Sequence, residues 1–269
     1  MPNNSEDVDD WEPFAATVAT THRVEKYGGF RLSEDNLVEM AEALNSGSLP
    51  MIGHHDWTLP IRTRNVRAWV TDLDDGEKAL RLQAEVSGGD FAAVGEVAGM
   101  SFTTFAALGE ALGPHPDRAP VQVSADAAAF DELDIARACE LMSQLAPAKA
   151  RLLFQFNALD VSRLVVEVGY PLVASLGPNL AASAIWDGLK HLLIKRKKPN
   201  DTAPATRIEL CTPITEANEV IGIIDTDDPE VARLALEKYS EALQVAADLE
   251  RTRAVLRWLT QEHRWDDLH

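Results

Sequence analysis

With 269 residues the chain has the length of one large or two ordinary domains, each able to bury its own core. Its 43 Asp and Glu outnumber 25 Lys and Arg, and the formal charge of −18 repels phosphate backbones, which argues against a nucleic-acid partner. Cys139 and Cys211 lie far apart with no C-x-x-C spacing, so neither a disulfide framework nor a zinc ribbon is indicated, and a reducing, cytoplasmic setting is expected.

Met1 to Trp11 is acidic and has no basic segment followed by an apolar one, so it reads as a flexible leader and not as a signal peptide. Thr20 to Phe30 then mixes Val24, Tyr27 and Phe30 with Gly28-Gly29, as a strand and turn would. Ser33 is placed to cap a helix whose apolar residues, Leu37, Met40, Ala41 and Leu44, follow at helical spacing until Gly47. Asn65 to Leu73 reads as a strand that ends at the hairpin signal Asp74-Asp75-Gly76. In the next strand Leu80, Leu82, Ala84 and Val86 alternate with Arg81, Gln83 and Glu85, which predicts one covered face and one open one. Asp90 is placed to cap a short helix carrying Phe91, Val94 and Val97. Ser101 to Phe105 and Pro120 to Phe130 are further strands. Short strands separated by turns predict a small closed or nearly closed sheet.

After Phe130 the composition turns rich in Ala and Leu. Leu133 to Leu145, Ala148 to Ala158 and Val161 to Ile194 read as helical, broken at Pro147, Pro171 and Pro178. Val168 to Trp186 is uncharged and precedes Lys195-Arg196-Lys197-Lys198, but its glycines and prolines argue against a membrane span. Beyond a basic linker, Arg207 to Ile214 and Glu219 to Ile224 read as strands. Asp227-Asp228-Pro229-Glu230 starts a helix whose apolar stripe, from Val231 to Ala246, continues towards Val255, Leu256 and Leu259. The expected fold class is therefore α+β. A leader (1–11) precedes a β-sheet or barrel domain with covering helices (12–132), a helical region (133–198) and a small α/β domain ending in helices (199–269).

Two residue types between Leu49 and Ala107 carry potential chemistry. His54-His55-Asp56 sits in an apolar context, and Ser101 sits in Gly99-Met100-Ser101-Phe102-Thr103-Thr104-Phe105. A serine hydroxyl becomes a nucleophile when an imidazole within hydrogen-bond reach takes its proton. Taken alone, each residue is as well explained by a half-buried strand histidine and a strand hydroxyl bonded to backbone. Adjacent histidines on a strand point to opposite faces, so one metal ion held by both is awkward, and no metal site or cofactor is expected.

This stretch, over roughly residues 20–130, resembles the prohead (capsid maturation) proteases of tailed phages, which are related in fold to the herpesvirus assembly proteases. The likeness rests on His55-Asp56, the acidic turn Asp74-Asp75-Gly76 between two strands, and Ser101 opening an aromatic-flanked strand. It differs at Thr103-Thr104, where the family usually has Gly, and at Ile61-Arg62, where it usually has Ile-Gly. The resemblance implies a serine peptidase with Ser101 as nucleophile and His55 as base, processing a protein partner or itself. The third group is left open among Glu110, His115, Asp126 and Asp131. Gln122, in Val121-Gln122-Val123-Ser124, stands where the phage enzymes commonly have Glu, and a neutral amide would orient the ring without stabilising its charge. The competing class is an inactive protease-like module acting as a scaffold or adaptor in a multi-component complex, with a protein assembly partner or a homo-oligomer.

Overall fold

The computed structural model describes residues 11–46, 63–87, 101–105, 121–143, 147–155, 161–169, 178–197, 205–215, 218–249, 251 and 253–268, without the side chains of 101–105 and 178–184. The chain divides into two compact units, residues 1–101 with 155–159, and residues 102–154 with 160–269.

The first unit is built on an antiparallel sheet of β1 (Trp11–Thr20), β2 (Thr63–Asp72) and β3 (Lys78–Ser87), in the order β1-β3-β2. The predicted hairpin joins β2 to β3, with Gly76 at φ 85 in its turn, a left-handed conformation that glycine adopts without steric cost. Leu80, Leu82, Ala84 and Val86 are buried as their alternation requires. Helix α1 (Glu34–Asn45) packs against β2 and β3. Ser33 caps it as predicted: its Oγ accepts from the Asn36 N–H, and Asn36 Oδ1 accepts from the Ser33 N–H, each at 3.1 Å. At the other end of the helix, Asn45 donates to the Ala68 carbonyl and accepts from the Ala68 N–H, both at 2.8 Å, so one side chain satisfies backbone of β2 as a neighbouring strand would.

The second unit holds an eight-stranded sheet ordered β11-β10-β9-β8-β7-β5-β6-β4. Its strands are β4 (Ser101–Phe105), β5 (Val121–Asp126), β6 (Ala148–Gln155), β7 (Arg163–Val168), β8 (Arg207–Pro213), β9 (Glu219–Asp225), β10 (Arg253–Leu259) and β11 (Arg264–Asp267). Helix α2 (Glu132–Met142) connects β5 to β6, α3 (Pro178–Lys195) connects β7 to β8, and α4 (Pro229–Glu237) with α5 (Tyr239–Asp248) connects β9 to β10. Each of these pairs is parallel, as a helical crossover demands, while β5 with β7, β8 with β9 and β10 with β11 are antiparallel. The helices bury one sheet face in a single core that includes Val123, Val166, Leu210 and Ile224 from the strands, and Ile135, Leu189, Leu236 and Tyr239 from the helices.

Several expectations are corrected. The first unit's described strands form an open three-stranded sheet, not a closed or nearly closed one. The strand expected to complete it, β5, joins the eight-stranded sheet instead. Its residues Val121, Val123, Ser124, Ala125 and Asp126 are all buried, so it needs strand neighbours on both sides. The expected helical region 133–198 contains two strands, β6 and β7. The Ala, Lys, Arg and Leu of β6 favour a helix locally, but its pairing with β5 decides otherwise. The C-terminal apolar stripe ends with α5, and Val255, Leu256 and Leu259 belong to β10. Consequently 133–198 and 199–269 are not separate bodies; both contribute strands to one sheet.

The predicted start of the C-terminal helix is present. Asp228 caps α4 by accepting from the Glu230 N–H at 2.8 Å, with Pro229 at the first helical turn. Among the described residues no helix is long and apolar enough to cross a membrane.

Candidate functional site

His55 and the short helix predicted at Asp90 lie outside the described residues, as do Glu110 and His115. Ser101 is the first residue of β4, which occupies the edge of the eight-stranded sheet beside β6. Of the proposed third groups, Asp126 is buried at the end of β5 and serves the following turn. Its Oδ1 accepts from the Ala128 N–H at 3.0 Å, and its carbonyl accepts from Ala129 and Phe130 at 2.9 Å. Asp131 is exposed and ion-paired with Lys197. Both carboxylates are thus engaged in local structure.

Gln122 lies on the sheet face opposite the helices, in register between Glu167 on β7 and Lys149 on β6. Its Oε1 is buried and has no hydrogen-bond partner among the described residues. Burial pushes the neighbouring Glu167 carboxyl up; Arg151 at 3.5 Å opposes that shift and Glu219 adds to it. Further charges on this face are paired across strands. Arg163 donates from Nε and Nη2 to the two oxygens of Glu209, at 2.9 and 2.5 Å, and both side chains are buried. Arg207 pairs with Asp225 at 2.9 Å, and Arg253 pairs with Glu219 directly across the strands.

The cysteines are poor nucleophile candidates. Burial pushes the Cys139 thiol up to about 12, and pushes Cys211 well above the ordinary thiol range, with Glu209 and Glu167 adding to the shift. Tyr239, which donates to the Leu210 carbonyl at 3.1 Å, is likewise raised by burial. Among the described residues no group of His, Cys, Asp and Glu is arranged to hold a metal ion.

The open face of the three-stranded sheet is a second grouping, which motif-based reading passed over. Cross-strand register sets Trp69, Arg81 and Thr17 in one row, Arg67, Gln83 and Ala15 in the next, and Arg64, Glu85 and Pro13 in a third. Arg64 donates to Glu85 at 2.5 Å and lies 4.3 Å over the Trp11 ring. The Arg64 hydrogen bond is the main reason that the Glu85 carboxyl titrates below its usual range, with Asn65 helping and desolvation opposing. Arg81 donates to the Thr17 hydroxyl at 2.5 Å. Arg67 is exposed and has no partner among the described residues, and Trp69 is 39% exposed beside it. The signal was present in the sequence: arginines fall on the polar positions of β3 and its hairpin partner β2.

Comparison of this chain with protein-family profiles, curated proteins and solved structures returns no match.

Proposed function

We propose that the chain is a serine-peptidase-like module resembling the prohead maturation proteases, in which His55 removes the proton from Ser101 and Ser101 attacks a peptide bond of a protein partner or of the chain itself. The observation that carries the reading is the intervening segment. Between the two residues stands a two-stranded hairpin turning at Asp74-Asp75-Gly76, and Ser101 begins a strand, which is the order that the resemblance implies. A strand anchors a nucleophile more rigidly than a loop. A serine-directed fluorophosphonate probe should label Ser101, and Ser101→Ala or His55→Ala should each abolish labelling with non-additive effects, since the pair acts as one unit. Lack of labelling both alone and in the presence of a co-purified partner would remove the peptidase reading.

A second reading, an inactive protease-like adaptor in a multi-component complex, is favoured by different observations. Asp126 and Asp131 are committed to a turn and an ion pair, and Gln122 is a neutral amide. In addition, β4 belongs to a different sheet from the hairpin. Under this reading the fold is retained for binding, and a protein partner is common to both.

A further inference from the structure

The three-stranded sheet leaves a basic and aromatic face open in a chain whose formal charge is −18. Among the described residues, Arg64, Arg67 and Arg81 share that face with a single carboxylate, Glu85. Glu85 is already bonded to Arg64 and to Asn65, so it offers little to the other two. Among the described residues Arg81 meets the neutral Thr17 hydroxyl, and Arg67, in register with Gln83, meets no carboxylate. Among the described residues two guanidinium groups in neighbouring rows are thus left without a counter-charge, with Trp69 opposite Arg81 and two residues from Arg67 along β2. Guanidinium forks are matched to carboxylates, and an exposed tryptophan adds apolar area to whatever they hold.

We propose that this face is a docking surface for an extended, acidic segment of a protein partner, its carboxylates held by Arg67 and Arg81 and its backbone or an apolar side chain resting on Trp69. The geometry favours such a segment. Rows on the sheet face repeat every second residue, about 6.6–6.8 Å along a strand, and an extended peptide presents like side chains at the same interval. Charge selects against the other polyanion with this local chemistry. A nucleic acid runs beyond the footprint of one three-stranded sheet and brings its phosphates against an acidic molecule, whereas a short acidic segment need interact only within about one Debye length, ~8–10 Å. The proposed contacts do not involve Ser101, so they stand whether the chain is a peptidase or an adaptor.

The test uses the full chain and fluorescein-labelled peptides of about ten residues, with Glu or Gln at alternate positions, together with single-stranded oligothymidine of similar length. The Glu peptide should bind, should weaken as salt is raised, and should exceed the Gln peptide by about tenfold or more. Arg67→Gln with Arg81→Gln should reduce that binding by about tenfold, and Trp69→Ala should reduce it severalfold. Arg253→Gln, which removes a cation already paired with Glu219, should leave it unchanged. Arg67 and Arg253 are exposed, Trp69 is 39% exposed and Arg81 is half-buried, so circular dichroism is used to check that each variant is folded. The proposal is overturned by no Glu-peptide binding at about 1 mM, by binding indifferent to Arg67 and Arg81, or by tighter oligothymidine binding that the same variants abolish.

Discussion

Both sheets carry arginines on a face turned away from their helices, and the two treat those charges differently. In the eight-stranded sheet each of Arg163, Arg207 and Arg253 meets a carboxylate on a neighbouring strand, and the Arg163–Glu209 pair is buried. In the three-stranded sheet the corresponding partners of Arg67 and Arg81 are Gln83, Thr17 and Trp69. A charge in a low-dielectric setting must be neutralised within the fold, because an unpaired one costs several kcal/mol. An exposed guanidinium bears no such cost and is free to recruit its counter-charge from another molecule. The buried Arg163–Glu209 pair thus serves the fold, while Arg67 has no counter-charge among the described residues.

The comparison breaks most sharply at Glu209. Glu209→Ala leaves Arg163 buried without its partner and should cost about 3–5 kcal/mol in urea unfolding of the second unit. An unchanged midpoint would mean that the pair is not desolvated.

Packing of the helical layer comes next. A Cβ at Gly188 would lie 2.5 Å from Met142 Cε and 2.7 Å from the Ala138 carbonyl oxygen, which is backbone and yields little. Gly188→Ala should therefore destabilise by about 1–3 kcal/mol in thermal unfolding, by forcing α2 and α3 apart.

A smaller effect, with a defined sign, belongs to Glu167. Its folded pKa is raised by burial, so the folded state holds this proton more tightly than the unfolded one. Stability from this group is therefore present below its ordinary carboxylate pKa and lost as pH rises through the raised one. Glu167→Gln removes the titration, so its stability relative to the parent should improve as pH rises from about 4 towards neutrality. A constant difference across that range would contradict the assignment.

The smallest effect is expected on the open face. Arg67→Gln and Arg81→Gln should each change stability by no more than about 0.5 kcal/mol, while still weakening acidic-peptide binding. A large stability loss would show that these arginines serve the fold after all, and would erase the distinction between the two sheets.

The first unit was readable where its signals are local, although its first strand is Trp11–Thr20 and the strand expected over Thr20 to Phe30 is instead a 3-10 turn at Glu25–Tyr27. The Ser33 cap, the Leu37–Ala41 face of α1, the Asp74-Asp75-Gly76 turn and the alternation of β3 each depend on residues within a few positions, and each is present. The β8–β9 strands and the Asp228-Pro229 helix start were legible for the same reason. The identity of β6 was not. Ala148 to Gln155 has a helix-former's composition, and pairing with β5 and β4, strands more than twenty positions earlier, makes it a strand. Sheet order likewise depends on contacts distant in sequence, which is why β5 moved from the expected small sheet to the large one. The candidate site divides along the same line. The sequence by itself singled out His55 and Ser101 by type and order, and it contained the alternating arginines of β2 and β3. Only the tertiary structure decided which arginines meet a carboxylate, because neutralisation is set by cross-strand register, and no local pattern specifies the residue on the neighbouring strand.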